Sequence, residues 1–205
     1  MSSPYQEVYK TVYEKVVEKL RVGLSPKLTY HSLGHTMDVL KQTQNIAKRE
    51  KLTDPEDYFL LQMASLYHDT GFIHVYAGHE IKGCELARQE LPEYGVTAAQ
   101  LDKICGMIMS TKIPQSPANK LEEIICDADL DYLGRDDFEE ISNHLYKEFL
   151  EFGYVKDYDD WMRKQVGFFE IHAYFTKSSH ELRHPKKMEH LSKIKLYQPS
   201  GSSKT

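Results

Sequence analysis

Histidines and aspartates at particular spacings are where this chain could do chemistry. In SLYHDTGFIHVYAGHE, residues 65–80, His68 and Asp69 are neighbours, and His74 and His79 follow. An imidazole beside a carboxylate is a ligand pair for a divalent ion, and equally an acid–base pair. With 10 His in 205 residues, such a doublet arises by chance about as often as not. It gains meaning only from partners elsewhere.

Three other stretches offer them. YHSLGHTMDV sets His31 and His35 four residues apart, so on a helix they share a face, about 40° apart around the axis. One can ligate an ion while the other faces a substrate beside it. ICDADLDYLG carries Asp127, Asp129 and Asp131 among Ile124, Ile125, Leu130 and Leu133. A helix this apolar must bury at least one carboxylate, which is costly unless that group is paired or on a metal; at least one of the three is expected on a solvated face. STKIPQSP places Lys112 after a helix and before two prolines, where its ammonium could neutralise a phosphoryl oxygen. His172, His180, His184 and His190 have no acidic partner in motif and read as surface or core residues.

Positioning these groups falls to helices. Apolar residues recur at helical spacing, first at Val8, Val12, Val16 and Leu20, later at Ile104, Ile108 and Met109, and strand-like alternation is hard to find, which predicts an all-α fold. Gly23 and Pro26 separate the first helix from one over about 31–50. Asp54-Pro55 is a capping residue followed by proline at the first helical position, opening a helix that runs to His68 and Asp69. Adjacent helical residues diverge by about 100°, so that doublet reaches one ion only at a helix end, which Thr70-Gly71 marks. Gly71 and Gly78 bracket a loop, a helix over 79–91 stops at Pro92, and Thr97 caps the next as far as Ser110. A helix over 121–133 stops at Gly134 and another covers 136–152. The last long one, from about 157, carries Trp161, Phe168, Phe169 and Phe175; these phenylalanines read as core, with a homodimer face as the alternative. No linker or repeat divides the chain. One domain over 1–205 is expected, with a motif-bearing core at 28–135, C-terminal helices at 136–195 and a frayed tail at 196–205.

Composition narrows the function classes. A formal net charge of -5, from 26 basic and 31 acidic residues mixed along the chain, leaves no basic stripe for a long nucleic acid. No window has the apolar length to cross a bilayer, and the first twenty residues lack the apolar run of a signal peptide. Cys84, Cys105 and Cys126 form no CxxC pair and read as buried thiols of a cytoplasmic protein.

Taken in chain order, a His on an early helix, a His-Asp doublet and an Asp on a late apolar helix resemble the HD superfamily of metal-dependent phosphohydrolases. YHSLGHTMDV is similar to the opening of the cyclic-nucleotide phosphodiesterase site, and DADLDYLG resembles the closing element of small bacterial HD hydrolases. The resemblance covers about residues 28–135 and implies an HD-domain helical bundle. It makes His35, His68, Asp69 and Asp129 the ligands of a divalent ion (Mn, Fe, Co, Zn or Mg), Asp129 being chosen over Asp127 by its Ala-Asp step. It makes His31 the proton donor beside the leaving group, with Asp69 orienting the attacking water and Lys112 balancing charge. In some relatives a second metal is bound, and His79 resembles its first ligand, with His74 as a further candidate. The adjacent His pair that usually follows is missing. The implied activity is hydrolysis of a phosphate mono- or diester of a small nucleotide-like molecule. The alternatives are a di-iron oxygenase of the same fold and a non-catalytic metal-stabilised binding module.

Overall fold

A computed structural model describes residues 4–197. Among the described residues there are nine α-helices and no strand: α1 (Pro4–Gly23), α2 (Leu33–Arg49), α3 (Pro55–Tyr67), α4 (His79–Glu90), α5 (Ala98–Ser110), α6 (Lys120–Asp129), α7 (Phe138–Glu151), α8 (Tyr158–Ile171) and α9 (Lys177–Lys195). None is long and apolar enough to cross a membrane. Residues 198–205 of the expected tail lie outside the described residues; Leu196 caps α9 and the Tyr197 hydroxyl donates to Asp159.

Local chemistry explains most of the boundaries. Asp54 accepts from the Asp57 amide at the start of α3, and Thr97 and Gln100 form a reciprocal capping box on α5, which satisfies amides that have no partner within the helix. The second helix starts later than expected. Ser32 is its N-cap, accepting from the His35 amide, so His31 precedes the helix and the two histidines do not share a helical face. The helix expected from about 157 ends at Ile171, and Phe175 lies in the connection to α9. Polar almost all round and interrupted by Pro185, α9 carries little of the amphipathic signal that reveals a helix in sequence.

Two clusters of buried residues organise the interior. Val12, Val16, Leu20, Ile46, Leu60, Leu66, Ile104 and Ile124 belong to the larger one, built from α1 to α6. The smaller gathers Leu130, Leu133, Phe138, Phe169, Leu191 and Ile194 around Tyr30 and Tyr132. Phe169 is core, as expected. Cys84, Cys105 and Cys126 are buried and free.

Two of the three aspartates join these halves. Asp127, fully buried, accepts from the Phe175 amide at 2.8 Å and from the Thr176 amide and hydroxyl at 2.8 and 2.7 Å, fixing the start of α9. Asp131 accepts from Arg183 Nε at 2.8 Å. Gly134 makes the approach of α9 feasible, because a Cβ there would stand 2.3 Å from the Arg183 carbonyl oxygen. The expectation that one of these carboxylates is solvated is wrong: α9 covers the face that would otherwise be open. Replacing Asp127 by Ala strands the buried Thr176 amide and hydroxyl and the part-buried Phe175 amide, so urea denaturation should show a loss of about 1–3 kcal/mol, while ion binding measured at native temperature stays at the wild-type level.

Candidate metal and acid–base site

Three helix ends meet where the two clusters adjoin. α2 packs against both α3 and α6. His35 is in the first turn of α2, His68 caps the C-terminus of α3, and Asp129 is the last residue of α6. The C-terminal ends of α3 and α6 bring partial negative charge to this point, which favours a cation. Asp69 follows His68 with backbone angles φ -105 and ψ 2, outside the regular helix. The doublet therefore does turn at a helix end, and both side chains reach the same spot.

The distances are those of ligands around a shared ion. His35 Nε2 is 3.1 Å from Asp129 Oδ1 and 3.3 Å from Asp69 Oδ2, and His68 Nε2 is 3.2 Å from Asp69 Oδ2 and 3.8 Å from Asp129 Oδ1. With metal–ligand bonds of about 2.0–2.2 Å, neighbouring donors stand about 3 Å apart. The tightest mutual grouping is His35, His68 and Asp129, with Asp69 against both imidazoles.

The donors themselves show that a cation fits. His68 Nδ1 donates to the Ser65 carbonyl at 2.8 Å, which leaves a lone pair on Nε2. That atom and Asp69 Oδ2 are buried without a hydrogen-bond partner. Two acceptors facing each other at 3.2 Å repel unless positive charge lies between them, either a bound cation or, without one, a second proton on His68. Burial opposes charge on His68, yet Asp69 and Asp129 pull its pKa up to about 9. Burial likewise works to raise Asp69, and the imidazoles of His68, His31 and His35 hold it well below the usual carboxylate range.

His31 stands beside this set rather than in it. Its ring stacks on Phe72 at 4.1 Å between centroids, and Phe72 stacks on His79 at 3.8 Å. Its Nδ1 pairs with Oε1 of Glu148, a fully buried residue of α7. Glu148 also accepts from the Tyr30 and His31 amides at 2.8 and 3.0 Å and from the Tyr76 hydroxyl at 2.8 Å. Burial works to raise its pKa, and these hydrogen bonds outweigh it, leaving the carboxyl below its ordinary value. For His31 burial disfavours the charge, and Glu148 with Asp69 reverses the balance, so its pKa is raised. Glu148 was not foreseen: it is one of many Glu residues on an amphipathic helix, and only its 117-residue separation from His31 in the chain is closed by folding.

The remaining candidates divide. His79 Nε2 is 3.6 Å from Asp69 Oδ1 and from Glu80 Oε1, while His79 Nδ1 faces the Tyr76 carbonyl at 3.0 Å. His74 is exposed at the end of the Thr70–Ile73 turn and is not brought to His79. Among the described residues no second close set of three donors accompanies the first. Lys112 is a further correction. It is exposed, and the cavity beside the site is lined by its neighbours Thr111 and Ile113 but not by Lys112 itself. Thr111 is buried, and Ile113, itself half exposed, lies at the cavity's edge. Lys164 of α8 is the cation that lines this cavity, along with His31, Asp69, His79 and Asp129.

The family model described as HD domain matches residues 32–132. A solved structure described as a predicted HD superfamily hydrolase from an uncultured Thermotogales bacterium is similar at a TM-score of 0.60, with 19% identity, over 89% of each chain. No curated protein matches.

The site leaves no room at Gly71, where a Cβ would stand 1.9 Å from the His79 carbonyl oxygen. Gly71→Ala should separate α4 from the doublet and cost about 1–3 kcal/mol, seen as a lower midpoint in thermal denaturation together with weaker ion retention.

Proposed function

Starting from the fact that this chain belongs to the HD superfamily through its domain at residues 32–132, we propose that it is a metal-dependent phosphohydrolase or phosphodiesterase. In this reading it cleaves a phosphate ester of a small, nucleotide-like molecule with water as the nucleophile. The observation that carries the reading is the buried set of two imidazoles and two carboxylates, in which His68 Nε2 and Asp69 Oδ2 face each other without a partner.

His35, His68, Asp69 and Asp129 hold the ion, and their mixed nitrogen and oxygen donors suit Mn²⁺, Fe²⁺, Co²⁺, Zn²⁺ or Mg²⁺. When bound, such an ion lowers the pKa of water to about 7 and polarises a phosphoryl oxygen. Asp69 accepts a hydrogen bond from the attacking water and orients it. His31, held charged through Nδ1 by Glu148, presents Nε2 to the ester oxygen. As the oxygen of water forms its bond to phosphorus, the bond to the ester oxygen breaks and that oxygen takes the His31 proton, so an alcohol leaves. Lys164 replaces Lys112 as the group that balances charge at the mouth.

The oxygenase alternative required His79 with a second histidine, and His74 does not supply it. The non-catalytic module remains the contrasting case, since it keeps the ion and shows no turnover.

Metal analysis of the purified protein beside His68→Ala and Asp129→Ala should find about one ion in the wild type and none in either variant, and an ester screen with that ion should show turnover. A wild type that stays metal-free after reconstitution would overturn the reading. His31→Ala should lower kcat about 10²–10⁴-fold and leave metal content unchanged. Glu148→Gln tests the proton donor through pH. A group that must be protonated acts below its pKa, and Glu148 raises that of His31. The alkaline limb of the rate profile should therefore move to lower pH in the variant; an unmoved limb rules out His31 as the acid.

A further inference from the structure

The cavity beside the ion site has a volume of about 350 Å³, and its far wall comes from helices beyond the matched residues 32–132. α7 contributes Phe138, Leu145 and Phe149, and α8 contributes Trp161, Phe168 and Phe169. Two neutral polar residues interrupt this apolar wall, Ser142 and Gln165. They are 6% and 7% exposed. Their polar groups line the cavity, where the amide and hydroxyl can exchange hydrogen bonds with a ligand.

Resting on the hydrolase reading, we propose that this cavity recognises the alcohol part of the ester, and that this part is an uncharged aromatic ring system with a polar edge. The ring packs among Phe149, Trp161, Phe168 and Phe169, where offset and edge-on aromatic contacts are favourable, and its polar edge meets Gln165 and Ser142. Because His31 lines the same cavity, the oxygen it protonates is the one that departs with the ring. Size and charge exclude other classes. The volume stands at the low end for small-molecule sites, roughly 300–1,000 Å³, and so takes one ring system rather than two nucleotides. Among the described residues Lys164 is the only Lys or Arg lining it, whereas the planar, bidentate recognition of a polyphosphate calls for arginine forks.

Trp161 is the single tryptophan of the chain and lines the cavity, so its emission reports occupancy without turnover. The purified protein, with its own metal complement, is titrated with benzyl phosphate and with glycerol phosphate, whose leaving alcohols are of similar acidity. Benzyl phosphate should change Trp161 emission saturably and glycerol phosphate should not. Ser142→Phe, which fills the cavity, should weaken benzyl phosphate binding about tenfold or more at unchanged helical content and metal content. If that variant does not fold, Gln165→Glu keeps the volume, places a charge in the wall, and should weaken binding in the same direction. Equal responses to both esters, or wild-type benzyl phosphate affinity in the folded variants, overturn the proposal. The two readings fail separately: saturable benzyl phosphate binding without hydrolysis of any ester retains the pocket and removes the hydrolase, whereas equally fast hydrolysis of both esters with no emission change does the reverse.

Discussion

Two acceptor atoms facing each other out of water, His68 Nε2 and Asp69 Oδ2, are the constraint around which the rest of this structure is arranged. Neither can turn away. The imidazole is tied through Nδ1 to the Ser65 carbonyl, and Asp69 is held at the junction of α3 and the Thr70–Ile73 turn. In a medium of low dielectric such a pair is costly unless a positive charge lies between them, and where no cation is bound Asp69 and Asp129 hold a second proton on His68. His35 and Asp129 arrive from two other helix ends and complete a donor set for that charge. The packing of α2 between α3 and α6 is therefore as much a requirement of the site as of the core.

The C-terminal third supplies the partner of His31 and the far wall of the cavity. Glu148 reaches back from α7 to fix His31 and the backbone before it, so His31 is held by an element outside the matched residues 32–132. α7 and α8 also wall the cavity. α9 in turn is bound to the domain through Asp127 and Asp131, two carboxylates two residues to either side of Asp129 and facing away from the donor set. Burial pushes the Asp127 carboxyl up to about 6 even against its three hydrogen bonds, a measure of how completely α9 closes over it. Donor set, His31 and pocket thus occupy successive layers, from the matched residues 32–132 outward to the C-terminal helices.

The helical class and most boundaries were legible because their signals are local. Proline at the first position of α3, the Thr97–Gln100 capping box and the period of Ile104 and Ile108 act within a few residues of one another. His35, His68, Asp69 and Asp129 were legible as a motif through the family resemblance, and their convergence is what the geometry adds. The misreadings share one cause. His31 was placed on a helix that Ser32 starts after it, Lys112 was aimed inward when its neighbours take that side, and His74 was paired with His79 on nearness in sequence alone. In each case the side chain's direction depended on a turn whose course is set by distant packing.

By itself the sequence determined what is carried by period, cap and motif: an all-α chain, the approximate positions of most of its helices, and the residue types for a metal-ligating centre. Tertiary structure decided what depends on contacts between segments far apart in the chain. It separated Asp129 from Asp127 and Asp131, supplied Glu148 to His31 across 117 residues, and put Lys164 and the aromatic wall where the sequence suggested Lys112. The physical reason is that a side chain's charge, partner and direction are properties of the surroundings that burial creates, and those surroundings exist only once the helices have packed.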